Sequence, residues 1–304
     1  MAGRDSTAAL IRALDLGPDP YPDLPVIPPE ALRDGDVLMM LGQGYSRVGP
    51  FDLPVSWLIR ALDGGAYSHS AVVSIVGGEP KVWDHSDDWL LGPVNLHDGI
   101  KEHAWCHVYR LFKHDEHVGS ARYPCAPIVQ VLSERVGDRY DTKLLLMAAV
   151  VAVVSRMPAN PMVREAARVA LEAVVLVINW YLDRRDIRSG MLICTAVTAF
   201  CYWSALNATP HDYALEVDMQ RPRAGDPHGH GREDWDGTIA AVQKTLARVW
   251  PDFPDDLARL QRARASNAHW VDVGGPLLPV NLVSPADLEF SRTLEPIGRL
   301  AIPQ

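Results

Sequence analysis

Tyr67-Ser68-His69-Ser70-Ala71-Val72-Val73 opens a run that reaches Val76, then Gly77-Gly78, then Lys81-Val82-Trp83-Asp84-His85. An apolar stretch rich in β-branched residues, a double glycine and a second apolar stretch predict a β-hairpin with a two-residue turn. With Gly77-Gly78 as that turn, residue 76 pairs with 79 and residue 71 with 84. Side chains alternate between the two faces of a sheet, so Asp84 falls diagonal to His69 on the same face. A turn one residue longer would turn the return strand over and present His85 instead, so His85 stays as the competing reading.

A histidine at the start of a rigid strand can serve as a base, and far downstream there is a group that needs one. Met191-Leu192-Ile193-Cys194-Thr195-Ala196-Val197 predicts an apolar helix over Met191 to Leu206, with Cys194 in its first turn. A thiol there feels the positive end of the helix dipole, which favours the thiolate, and first-turn amides lie close by to receive an oxyanion. Gly190 allows backbone or substrate to approach. Taken singly, Cys194 also reads as a core thiol, His69 as a structural histidine and Asp84 as a solvated edge residue. Cys201, seven residues on, reads as core.

The bulk numbers narrow the setting. The chain has 304 residues, 48% hydrophobic and 22% charged, with a net charge of −9. No Lys/Arg run is long enough to follow a phosphate backbone, which argues against a nucleic-acid partner. The cysteines at 106, 125, 194 and 201 show no CxxC pair and no framework spacing, so a reduced, cytoplasmic location is expected. The N-terminal residues lack a sustained apolar h-region, so no signal peptide is expected.

Along the chain, residues 1–30 read as an amphipathic helix followed by a proline-rich arm, and 31–304 as one domain. Leu32 to Leu41 reads as a turn and a buried strand, Gly42 to Pro54 as a loop, Cys106 to Phe112 as a strand and Ala126 to Val136 as a helix. Two apolar segments within 144–182, divided by Pro158 and Pro161, read as an inserted helical pair. Neither spans a bilayer on run length, so two buried helices are the first reading and a membrane-dipping hairpin the second; a partly exposed apolar patch on them would mark a protein or membrane contact. Residues 207–236 read as a polar loop, and His269 to Gln304 as an extended, proline-punctuated tail.

In order, these pieces resemble a known family. Gly35-Asp36-Val37-Leu38 resembles its opening strand, and the 67–73 stretch its histidine strand, with Ser70-Ala71 where Val-Gly is usual. Val82-Trp83-Asp84 resembles its return strand, Tyr140-Asp141 an element before a helical stretch, Ile193-Cys194-Thr195 its nucleophile helix and Ser284-Pro285-Ala286-Asp287-Leu288 its trailing segment. The family is the circularly permuted papain-like amidases of the NlpC/P60 superfamily, in the YiiX/YebB-like group, with lecithin:retinol acyltransferase-like proteins as relatives. The resemblance covers about residues 35–300. It departs at Asp84, where Glu is usual, and at Thr195, where Ser is usual.

The resemblance implies an α+β fold with a permuted papain-like core, a small antiparallel sheet packed on the nucleophile helix. It implies Cys194 as nucleophile, His69 as general base and Asp84 as its orienting residue, with Thr195 at the substrate site, Tyr67 either lining the cleft, donating a hydrogen bond there or simply packing, and no metal or cofactor. The substrate would be a peptide, amide or acyl-lipid. Water as acceptor makes the protein a hydrolase, and another acceptor makes it a lipid-dependent acyltransferase. Two readings of other classes remain. One is a zinc site at His114-Asp115-Glu116-His117, whose two histidines would meet on a helix, or at His228-Gly229-His230; neither shows a third ligand. The other is a non-enzymatic interaction module.

Overall fold

The structure is a computed structural model that describes residues 19–42, 46–48, 51–53, 56, 59–60, 65–85, 90–121, 123–138, 194–208, 213, 215–216 and 283–302. The N-terminal helix, Tyr140-Asp141, the insert at 144–182, Gly190, most of the 207–236 loop and the side chain of His85 lie outside them.

The fold is α+β, built on a mostly antiparallel seven-stranded sheet with few helices among the described residues. The strands are β1 (Val37–Gly42), β4 (His69–Val76), β5 (Glu79–His85), β6 (Leu91–Asn95), β7 (His103–Lys113), β8 (Glu116–His117) and β9 (Leu294–Leu300). Their order is β6-β5-β4-β1-β7-β8, with β9 also paired to β7. Strands β2 (Ser46–Val48) and β3 (Phe51–Leu53) form a separate two-stranded ladder within the stretch expected to be a loop. The helices are α1 (Leu96–Ile100), α2 (Ala126–Ser133), α3 (Cys194–Ala208) and α4 (Pro285–Glu289). No helix among the described residues is long and apolar enough to cross a membrane.

Gly77 and Gly78 both have left-handed backbones, with φ of 63° and 86°. This is the geometry of a two-residue hairpin turn, whose twist matches that of the flanking strands. The β4–β5 ladder runs from Val76–Glu79 to Val72–Trp83. One face of the sheet packs Leu38, Met40, Ala71, Val73, Val82, Cys106 and Val108 into a core with Leu32, Ile100 and Leu300. The other face carries α3, which packs on β4 and on α2.

The Gly35-Asp36 pair anchors this arrangement. Gly35 turns the chain at φ 81°, and Val37 enters β1. The fully buried Asp36 carboxylate receives Arg110 Nε at 2.6 Å and Nη2 at 2.7 Å, and the Arg33 N–H at 2.8 Å. Burial raises its pKa, and Arg110 and the Arg33 backbone oppose that. Tyr202 of α3 donates to the Gly35 carbonyl, so the same turn also ties α3 to the sheet.

The tail is not simply extended. Ser284 caps α4 in a reciprocal capping box with Asp287. Strand β9 then pairs along β7 from Leu111–Leu294 to Cys106–Leu300. Pro296 and Gly298 hide this strand from a pattern reading. Proline is tolerated because the ladder slips register between Val108 and Tyr109, beside the Tyr109–Pro296 pair. The arm also belongs to the domain: Ile27 N–H donates to Arg299 O and Arg299 N–H to Pro25 O, both at 2.9 Å. Pro25–Ile27 therefore covers part of the open edge of β9.

Removing one member of a buried ion pair leaves the other charge unpaired, which costs about 3–5 kcal/mol. Asp36→Ala is expected to lose that much in urea unfolding. A loss below about 1 kcal/mol, the scale of an exposed pair, would contradict the anchoring role.

Candidate active site

His69 is the first residue of β4, and Asp84 lies near the end of β5. Extending the ladder one pair past Val72–Trp83 brings 84 opposite 71. The Asp84 carboxylate accordingly meets the His69 ring, with Oδ2 2.8 Å from Nε2. Both side chains are largely buried, 21% and 17% exposed.

The thiol comes from the other layer. Cys194 is the first residue of α3, is buried, and hydrogen-bonds with the His69 ring. With Nε2 engaged by Asp84, Nδ1 is the ring atom left for sulfur. The Ser70 backbone N–H is also directed at the sulfur.

The electrostatics follow from this geometry. Burial pushes the Cys194 thiol up, but the His69 charge, its hydrogen bond and the Ser70 N–H prevail and bring it below its ordinary value. Burial pushes His69 down, and the charges of Asp84 and Cys194 outweigh it, so the ring ends well above its ordinary value. A lowered thiol facing a raised imidazole favours a thiolate–imidazolium pair. The other cysteines differ. Burial pushes Cys106 and Cys201 far up, and Cys125 is raised by burial and then by the Asp34 charge.

Sequence reading missed His103. Its ring stacks on His69 with centroids 5.7 Å apart and planes 23° apart. A bulge puts it there. Residues of β1 and β7 pair regularly to Leu41–Trp105, then the register slips so that Gly42 faces His103. The extra residue on β7 reverses the alternation and brings His103 onto the side of His69. Burial, then the His69 charge, push His103 down to about 4, with Asp84 opposing. The second ring is therefore neutral at ordinary pH. A one-residue slip late in a strand leaves no mark in hydrophobic pattern.

Tyr67 and Thr195 do not line an open cleft. Tyr67 is fully buried, its hydroxyl 2.7 Å from His107 Nδ1 and 3.1 Å from the Tyr109 hydroxyl. His107 in turn lies 3.1 Å from Asp19 of the arm. Tyr21 stacks on Tyr67 and donates to Glu289 at 2.8 Å. Tyr67 faces inward because a phenol can satisfy its hydroxyl inside a polar network while its ring fills the core. Thr195 is 1% exposed and packed within the protein.

His114 and His117 do not share a helix. His114 and Asp115, with φ of 53° and 62°, form the turn between β7 and β8. His117 sits 3.2 Å from Glu295 and packs on Phe112. Among the described residues no group of three or more His, Cys, Asp or Glu side chains is arranged to hold a metal ion. His228 and His230 lie outside those residues.

No protein-family model matches the chain, and no curated protein matches it. Among solved structures it is similar to one described as the crystal structure of metalloprotein yiiX from Escherichia coli O157:H7, DUF1105. The TM-score is 0.41 with 11% sequence identity, over 89% of this chain and 97% of that chain. "Metalloprotein" describes that structure and is not carried over to this chain.

The opposed pKa shifts give a direct expectation. Iodoacetamide near neutral pH reacts with thiolate, so it should alkylate Cys194 ahead of Cys106, Cys125 and Cys201. Peptide mapping by mass spectrometry checks this. Preferential labelling of Cys201 would overturn the assignment.

Proposed function

We propose that this chain is a cysteine hydrolase with a permuted papain-like catalytic core, cleaving an amide or related acyl bond through an acyl-enzyme on Cys194. The observation that carries the reading is the Cys194–His69–Asp84 alignment, a thiol at a helix start facing an imidazole whose far nitrogen is 2.8 Å from a carboxylate. It combines the lowered thiol of a nucleophile with the raised imidazole of a proton carrier. The ordered resemblance to the NlpC/P60 superfamily supports the same reading. So does Ser284-Pro285-Ala286-Asp287-Leu288, which folds as a capped helix whose Glu289 holds the Ala66 N–H at 2.8 Å, just before the histidine strand.

In this mechanism the Cys194 thiolate attacks the carbonyl carbon, and the oxyanion is received by N–H groups in the first turn of α3. As the tetrahedral adduct collapses, the imidazolium of His69 gives its proton to the leaving amine or alkoxide, and a thioester remains on Cys194. Neutral His69 then takes a proton from water, whose oxygen adds to the thioester carbon. The carboxylic acid departs and the thiolate returns. Asp84 fixes the ring and stabilises its charged form throughout. A reducing, cytoplasmic setting is part of the proposal and suits four cysteines that are all free thiols.

The test uses p-nitrophenyl acetate as acyl donor, with intact mass and peptide mapping of the quenched protein. One acetyl group is expected on Cys194, and none in Cys194→Ala. His69→Ala is expected to lower acylation by roughly two or more orders of magnitude with the fold retained. Acylation elsewhere, or near-normal acylation in His69→Ala, would overturn the reading.

Asp84→Asn keeps the shape but removes the charge that lifts the His69 pKa. A raised histidine pKa keeps the ring charged to higher pH, so its loss removes the imidazolium first on the alkaline side. The pH profile of acylation should narrow at its alkaline limb, with unfolding by circular dichroism little changed. An unaltered limb would contradict the role of Asp84.

A further inference from the structure

Two hydroxyls meet inside the packed layer between β4 and α3. Ser70 Oγ and Thr198 Oγ1 are 2.9 Å apart, and the residues are 1% and 0% exposed. Ser70 directly follows His69, and Thr198 lies four residues, about one helical turn, after Cys194. The same Ser70 also directs its backbone N–H at the Cys194 sulfur. The β4–β5 pairing ends at Val72–Trp83, so Ser70 lies beyond it. Ser70 therefore holds α3 at two levels, by N–H at its first residue and by hydroxyl one turn further on.

Two attachments a turn apart on one helix face fix more than distance. They fix the rotation of the helix about its own axis, which decides where a first-turn sulfur points. Apolar packing is non-directional and holds the separation more than the rotation. Tyr202 anchors α3 to Gly35 about two turns beyond Cys194, and the hydroxyl pair is the directional contact nearer the sulfur. That pair is costly to break from one side because the remaining hydroxyl is buried. Strand alternation sends Ser70 Oγ to the face opposite the His69 side chain, so it acts on the site through the helix. Ser70 also stands where the resembled family usually carries an apolar residue, so this link is a property of the present chain.

We propose that Ser70 and Thr198 are positioning residues, a hydroxyl strut that sets the rotation of α3 so that the Cys194 sulfur meets the His69 ring. The proposal rests on the thiolate–imidazolium reading of the site.

The experiment measures the iodoacetamide alkylation rate of Cys194 from about pH 5 to about pH 9 in the full chain, which reads the thiolate fraction directly. Ser70→Ala and Thr198→Val should each raise the midpoint by about one pH unit and slow alkylation on the acid side roughly tenfold. Thr198→Ser keeps the hydroxyl and should stay near the wild-type profile. The double variant should be little worse than either single variant, because both remove one interaction. A contact that merely stabilised the fold would lower the unfolding temperature and leave the midpoint in place. If Ser70→Ala does not fold, Thr198→Val carries the test from the helix side. A wild-type thiol that titrates like free cysteine overturns the catalytic reading and the strut with it. An acid-shifted wild-type thiol left unmoved in the folded variants overturns the strut alone.

Discussion

A side chain on a β-strand faces one side of the sheet or the other, and a slip of one residue turns every side chain over. In this chain the choice is held by Gly77 and Gly78. Their left-handed backbones make a two-residue turn, and the turn fixes the pairing of β4 with β5. From that register it follows that Val73 and Val82 share the core and that the Asp84 carboxylate lies 2.8 Å from His69. The same hairpin puts Ser70 and Ser74 on the opposite face, where they meet Thr198 of α3 and the Trp83 indole. Core, orienting carboxylate and helix docking surface thus share one geometric origin.

The thiol environment is a balance between opposed effects. Burial favours neutral groups, which alone would leave Cys194 as inert as Cys106 and Cys201. What separates it is an imidazole within hydrogen-bonding reach, whose pKa the Asp84 charge raises. The stacked His103 belongs to the same balance. It shields one side of the His69 ring and, being neutral, adds no competing positive charge. A polar network of Tyr21, Tyr67, His107, Tyr109, Asp19 and Glu289 supports the segment leading into His69 and ties it to the arm and α4. These residues act by holding backbone, since Tyr67 and His107 are fully buried.

Sequence by itself determined the local elements and the partners they imply. The apolar stretches on either side of Gly77-Gly78, the Gly-Gly turn itself and the apolar run after Ile193 are local signals, and local hydrogen bonding realises each of them, whereas the Ser284 cap lies within a tail that reads as extended. So the β4–β5 hairpin, the helix that starts at Cys194 and the placing of Asp84 on the His69 face were legible. Only tertiary structure decided the rest, because the deciding contacts join residues far apart in the chain. The β7 bulge that aims His103, the β9 strand hidden behind Pro296 and Gly298, and the burial of Tyr67 depend on neighbours supplied from elsewhere. The Ser70–Thr198 link joins positions 128 residues apart, and no local pattern specifies such a pair. A strand's alternation says which side a side chain takes; what it meets there is settled by packing.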